Sequence, residues 1–310
     1  MLAPMATAAI TVRGLRKSYG SLEAVRGVDF EVQEGEVFAL LGPNGAGKTT
    51  TVEILEGHRE RSAGDVSVLG YDPAKADRRM RSRIGIVLQS TGLNQYLTAE
   101  ETIDLYRALY PHPRRLDEVL ELVGLTEKRN ERVRRLSGGQ QRRLDVGIGL
   151  AGDPDLLFLD EPTTGFDPAA RRGAWEMVKG LAALGKTILL TTHYMDEAQA
   201  LADRVAIIAD GQIVAEGPPN TLVGTRERQS VIRFRLADSA PKLPGPLARA
   251  ATTSAAGVEI TTNDPVPVLN QLTAWAMEKS VTLENLEVRR PSLEDVYLEL
   301  TKNAAHRDNG

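Results

Sequence analysis

Short unbroken apolar runs recur at Val37 to Leu41, Ile84 to Leu88, Leu156 to Leu159, Thr187 to Thr191 and Val205 to Ile208, each closed by glycine or charge. Runs of that length suit strands buried on both faces. Between them the spacing changes. Leu116, Val119, Leu120 and Val123 fall at i, i+3, i+4 and i+7 and stop before Gly124, which predicts one buried helix face. Alternating strands and helices imply a mainly parallel α/β sheet. Ile10 to Leu15 and Val28 to Val32 alternate apolar and polar instead, so they predict antiparallel strands outside that sheet, which Asp65 to Leu69 would join.

The pattern breaks at Gly217-Pro218-Pro219, which places a boundary within Glu216 to Thr225. The expected division is a first domain over 8–222, with a helical subdomain at about 90–150, and a small α+β domain over 226–302. In the second, Ser230 to Leu236 reads as a strand and Ala240 to Pro246 as a loop. Asp264-Pro265 reads as an N-cap with proline at the first helical position, ahead of Leu269, Leu272 and Ala276 on one face. Val281 to Val288 would return as a strand, and Ser292 would cap a last helix carrying Leu293, Val296 and Leu300. Residues 303–310 are a polar tail, expected to be disordered.

Composition narrows the chemistry. With 310 residues and 42% apolar content the chain can bury a sizeable core. The 38 basic and 42 acidic residues leave a net charge of −4, which argues against a strong positive field for nucleic acid, so no nucleic acid partner is expected. There is no cysteine, so disulfides, thiolate metal sites and thiol nucleophiles are excluded. Met1 to Ala9 lacks the basic flank and apolar run of a signal peptide, and no run of 18 apolar residues occurs.

The strand Val37 to Leu41 leads into Gly42-Pro43-Asn44-Gly45-Ala46-Gly47-Lys48-Thr49, followed by Thr50, a full match to G-x-x-x-x-G-K-[ST] in the strand, loop and helix context it requires. Backbone N–H groups from Gly45 onward can converge on phosphate oxygens, with the helix dipole behind them. Pro43 only stiffens the entry. Lys48 would reach the β- and γ-phosphates, and the Thr49 hydroxyl would ligate Mg2+ held by the same phosphates, so the ligand is a nucleoside triphosphate. Leu156 to Leu159 delivers Asp160 and Glu161 to the carboxyl end of a buried strand, where open α/β sheets bind ligands. Asp160 can serve Mg2+ through its shell, and Glu161 can orient and deprotonate a water. Thr187 to Thr191 carries His193 to the same edge; alone, such a histidine is usually just solvated.

A second anion site stands at Leu136-Ser137-Gly138-Gly139-Gln140-Gln141, where a hydroxyl, glycine N–H groups and a helix start coincide. Taken alone, Ser-Gly-Gly could equally be an ordinary N-cap. One triphosphate rarely needs two helix ends in one chain, whereas two chains packed head to tail could each offer one to the other's nucleotide.

These motifs, in this order, resemble the nucleotide-binding subunit of ATP-binding cassette (ABC) transporters over roughly Ala8 to Leu222. The resemblance implies a P-loop NTPase of ABC ATPase type, an α/β fold with an antiparallel β-layer and helical subdomain, using ATP and Mg2+. It makes Leu136 to Gln140 the signature motif, and Gln89 the Q-loop glutamine that touches Mg2+ and the water. Tyr19 matches the aromatic that stacks on adenine, though a packed strand-end tyrosine is the alternative. Asp167 matches the D-loop that crosses the dimer interface, and His193 the switch histidine. Phe166 in place of leucine and Glu56 in place of threonine are departures not expected to touch the chemistry. Leu144-Asp145-Val146 and Pro291 to Tyr297 resemble the drug-exporter branch, including daunorubicin-resistance-type ATPases, although an amphipathic terminal helix explains the second segment equally well.

The resemblance further implies a motor that dimerises with a second copy of itself around ATP, as a peripheral subunit on the cytoplasmic face of the membrane. The integral membrane permease would be a separate chain, docking on the segment after Gln89 through Arg135, where Arg114, Arg115 and Arg129 are read as a solvated face. The alternatives are a soluble ABC-type ATPase acting on nucleic acid or ribosomes, which usually carries two cassettes or a coiled-coil insertion, an importer ATPase with a β-barrel tail, and a phosphotransferase.

Overall fold

In a computed structural model, residues 8–88, 92–223, 230–237, 240–254 and 257–289 are described. The chain divides into two compact units, Met1–Pro219 and Asn220–Gly310. In order, the first contains β1 (Ala8–Tyr19), β2 (Leu22–Gln33), β3 (Val37–Leu41), α1 (Lys48–Leu55), β4 (Ala63–Val68), α2 (Arg78–Arg81) and β5 (Ile84–Val87). Then come α3 (Ala99–Arg107), α4 (Leu116–Leu122), α5 (Gly138–Leu150), β6 (Leu156–Asp160), α6 (Pro168–Ala183), β7 (Thr187–Thr192), α7 (Met195–Leu201), β8 (Arg204–Ala209) and β9 (Gln212–Gly217).

The main sheet has six strands in the order β5-β6-β7-β3-β8-β9, parallel except for β9, which runs antiparallel at the edge. Every residue of β3 and β7 is buried, which is why their sequences are continuous apolar runs rather than alternating ones. A smaller antiparallel sheet, β2-β1-β4, shares its core: Phe30 of β2 stacks on Phe38 of β3 with ring centroids 5.3 Å apart. Fully buried side chains of this size each contribute about 1.5–3 kcal/mol relative to exposure. The helical region follows its predicted spacing in α4, where Val119, Leu120 and Val123 are buried and Gly124 turns the chain at φ 64°.

Past the short helix α8 (Pro219–Val223), the second unit is a four-stranded antiparallel sheet, β11-β12-β10-β13, made of β10 (Ser230–Arg235), β11 (Ala251–Ser254), β12 (Gly257–Thr262) and β13 (Glu284–Arg289). Helices α9 (Gly245–Ala250) and α10 (Pro265–Glu278) cover its core of Ile232, Phe234, Ile260, Leu272 and Trp275. Four expectations need correction. The returning strand expected from Val281 starts only at Glu284 and runs to Arg289. The loop expected to reach Pro246 ends earlier, because α9 begins at Gly245. Asp264 stands at the N-cap of α10 but its side chain makes no capping bond; its own N–H donates instead to Thr262 Oγ1 at 3.2 Å. Strands β9, β11 and β12 have no counterpart in the sequence reading. The expected helix after Ser292 and the polar tail lie outside the described residues.

Candidate functional site

The phosphate-loop segment leaves β3 in a path that only glycine allows at two points. A Cβ at Gly42 would stand 2.3 Å from the Ile208 carbonyl oxygen. At Gly47, φ is 101° and a Cβ would meet the Ala24 oxygen at 2.6 Å. Gly47 caps α1 without a side chain, so the first-turn N–H groups of α1 keep their donors for a ligand. Lys48 is buried, and its Nζ donates to the carbonyls of Gly42 at 2.8 Å and Pro43 at 3.1 Å while standing 3.4 Å from Glu161 Oε1. Burial lowers the Lys48 pKa, against the upward pull of Glu161 and Asp160.

Asp160 ends β6 and Glu161 follows it. Between the two sits Thr191 of the neighbouring strand β7: its Oγ1 donates to Asp160 Oδ1 at 2.5 Å and accepts the Glu161 N–H at 3.0 Å. Glu161 Oε2 accepts from the Thr164 hydroxyl at 3.0 Å, and Oε1 lies 3.3 Å from His193 Nδ1. Burial works to raise the Glu161 carboxyl, but Thr164, His193 and Lys48 together hold it below the ordinary carboxylate range. It is therefore ionised at neutral pH. Its backbone is in the left-handed region at φ 44°, a conformation that costs a non-glycine residue about 1–2 kcal/mol.

Lys48, Glu161, Thr164 and His193 share one cavity of about 500 Å3, which Ala24, Asn44, Gly45, Gly47, Thr49 and Thr50 also line, while Asp160 and Thr191 do not line it. Thr191, Thr164 and Ala24 were missed from sequence. A threonine buried in a strand looks like any β-branched core residue, and no spacing marks the other two.

The remaining predicted residues stand apart. Tyr19 ends β1, with Lys17 Nζ 5.1 Å and Arg59 Cζ 5.4 Å from its ring centroid. Ser137 and Gln140 close on each other in a capping box: Ser137 Oγ accepts the Gln140 N–H at 3.3 Å and Gln140 Oε1 accepts the Ser137 N–H at 2.9 Å. With Gly139 they line a different cavity, about 260 Å3, between α5 and α6. Asp167 caps α6, Oδ1 accepting from the N–H groups of Ala169 and Ala170 at 2.8 and 2.9 Å. Gln89 lies outside the described residues. Glu56, read as remote from the chemistry, is not electrically remote: burial first, then the charges of Asp160 and Glu53, push its carboxyl up to about 8. The basic residues of the helical region are less free than a solvated face would make them, since Arg129 pairs with Glu100 at 2.8 Å and Arg114 with Asp153 at 2.8 Å.

A glycine-cradled lysine after β3, two acids at the end of β6 and a histidine after β7, the strand between those two, define a P-loop nucleoside triphosphatase. The comparisons narrow that class. Residues 25–164 match the family described as ABC transporter, and residues 230–292 match the ABC transporter domain-containing protein-like C-terminal domain. The chain is 38% identical to the Nod factor export ATP-binding protein I of Ralstonia nicotianae over 95% of this chain and 94% of that one. It is 36% identical to the daunorubicin resistance ATP-binding protein DrrA3 of Streptomyces coeruleorubidus, over 96% and 97%. Among solved structures it resembles the dimeric bacterial ABC transporter cassette MJ0796, also solved in a post-hydrolysis state with ADP and Pi; TM-score is 0.60 and identity 26%, covering 67% of this chain and 98% of that one. The chain belongs to the ABC transporter ATP-binding protein family, and it is an ATPase.

Proposed function

We propose that the chain is the ATP-driven motor of an exporter, sharing each ATP between two copies and driving a separate integral membrane permease. Gly42 to Thr50 of one copy hold the triphosphate, and Ser137, Gly138 and Gly139 of the other close over it. The observation that carries this reading is the division of the site: the Lys48, Glu161 and His193 cavity contains no signature residue, while the signature lines another cavity of the same chain.

In the chemistry that follows, Lys48 leaves the Gly42 and Pro43 carbonyls for the β- and γ-phosphates. Glu161, ionised and freed from Lys48, accepts a proton from the attacking water, and His193 contacts the γ-phosphate. Gln89 completes this set by resemblance, and Asp167 serves the contact between copies. Tyr19 offers its ring to adenine once the neighbouring cations move aside. Among the described residues no three His, Cys, Asp or Glu side chains cluster as a metal site, so Mg2+ would be held by the phosphates with Thr49 and Asp160. Hydroxyl and carboxylate oxygens are the donors that ion prefers, and when bound it neutralises phosphate charge.

No helix among the described residues is long and apolar enough to cross a membrane. We assign the docking face for the permease to the helical region, where Tyr96, Leu105 and Leu109 are exposed. The relative named for Nod factor export supports an export direction and the one named for daunorubicin resistance a drug-like cargo; the motor would sit peripherally on the cytoplasmic face. The test is Glu161→Gln: it is expected to bind ATP, hydrolyse almost none and accumulate as a closed pair on size exclusion. Full turnover by this variant contradicts the reading.

A further inference from the structure

Glu161 combines two unfavourable features, a positive φ of 44° and a following proline, which pushes its neighbour toward extended backbone. Such a conformation persists only where its surroundings enforce it. The Glu161 N–H is held by Thr191 and its carbonyl accepts the Thr164 N–H at 3.2 Å, while the carbonyls of the residues before and after it are held by one side chain from another element. Arg142, in the second turn of α5, donates from Nη2 to the Asp160 carbonyl at 3.0 Å and from Nε to the Pro162 carbonyl at 3.2 Å. Its Nη1 donates to the carbonyl of Leu88, the residue before Gln89. Arg142 is only 8% exposed, with Asp145 one turn along at 3.8 Å as its charge partner. A planar guanidinium spreads its donors over three nitrogens in a rigid fork and so can span three carbonyls set apart from one another, whereas a lysine ammonium offers its three donors from a single atom.

We propose that Arg142 is a positioning residue that locks Glu161 in its strained backbone and ties that geometry to the helix bearing Ser137. It does not line the phosphate cavity, so it acts through Glu161 and Leu88 rather than on ATP. The consequence is directional. Movement of α5, when its signature engages the nucleotide of the other copy, is carried through a rigid fork to the base of its own site. The two hydrolysis sites of a pair therefore report to each other, and by linkage the effect on binding is reciprocal. The inference rests on the functional reading above, in which Glu161 is the base and the signature serves the other copy's ATP.

The experiment compares Arg142→Ala and Arg142→Lys with Glu161→Gln, measuring ATP affinity, kcat, the shape of the rate against ATP concentration, and thermal stability. Both Arg142 variants are expected to bind ATP within about threefold of the parent, lose about 100-fold in kcat, as misplacement of a reacting group by an ångström does, and show a hyperbolic rather than sigmoidal rate curve. Added methylguanidinium, which can enter the 260 Å3 cavity that Arg142 lines, is expected to restore part of the Arg142→Ala turnover and none of the Glu161→Gln turnover. If Arg142→Ala does not fold, Arg142→Lys alone decides the matter by its kcat and rate curve. Arg142 variants with parental kcat beside an inactive Glu161→Gln overturn this inference and spare the functional reading. Loss of ATP binding and kcat together, in step with stability, also overturns it. An active Glu161→Gln overturns the reading beneath both.

Discussion

Two helix N-termini in this chain are flanked by glycines and carry the same dipole, yet they are finished differently. At α1 the cap is Gly47, which offers no side chain, and the free N–H groups open onto a cavity with Lys48, Glu161 and His193. At α5 the cap is Ser137, already engaged with Gln140, and the cavity behind it has no acid or histidine among the described residues that line it. The first terminus is bare and surrounded by reactive groups. The second is self-satisfied and chemically quiet, keeping only a hydroxyl proton and glycine N–H groups to give. The difference teaches that the catalytic groups gather at one end only, so on our reading the α5 terminus contributes binding and closure to the other copy's ATP.

The largest effect is expected from breaking the first terminus. Lys48→Met removes a buried cation that faces Glu161 and should lower turnover by about 10³-fold or more, with ATP binding weakened in a direct binding assay. The second terminus can be dissected more finely, because its cap and its anion role make opposite demands. Aspartate caps helices as well as serine, so Ser137→Asp should preserve thermal stability to within about 0.5 kcal/mol. The added negative charge would face a triphosphate, however, and ATP-dependent pairing and turnover should fall by about 100-fold. A variant that stays stable and fully active would reduce the signature to a simple cap.

The smallest effect concerns Glu56, behind Asp160. Its carboxyl rises from an ordinary value near 4.5 to about 8 on folding, so the folded state holds the extra proton between those values. The stability this gives is fully present below about pH 4.5 and is lost as pH climbs toward 8. Glu56→Gln should therefore melt a few degrees higher than the parent at pH 8.5, with the gap closing by pH 5, when melting is followed against pH without nucleotide. The opposite slope would show that Glu56 is ionised in the folded chain.

The parallel strands were readable because burial on both faces leaves no ambiguity: β3 occupies the same residues, Val37 to Leu41, that form the apolar run. Strands β9 and β11 were not. In β9 only Ile213, Val214 and Ala215 are apolar, half-buried between exposed Gln212 and Glu216, and β11 is Ala-Thr-Thr-Ser with three exposed residues, so neither shows a long buried run or a clean alternation. Residues defined by a motif could be named from order alone. Those that act by tertiary placement could not: Thr191 reaches both acids from another strand, and Arg142 finds its three carbonyls only once α5 packs on β5 and β6. One hint existed. Arg142 lies one turn before the buried Val146, a charge on an apolar helix face, which calls for a buried partner.

Mixing two crippled chains tests the central claim most directly. Lys48→Met lacks a working phosphate loop but keeps its signature, and Ser137→Asp has the reverse defect. If each ATP is shared, an equimolar mixture forms pairs in which one site is wholly intact, and turnover should recover toward about a quarter of the parental rate, the ceiling that random pairing sets when the intact site runs at full speed, and below it to the extent that the crippled second site slows the first. Activity no greater than the sum of the two variants alone would contradict a centre built from both copies.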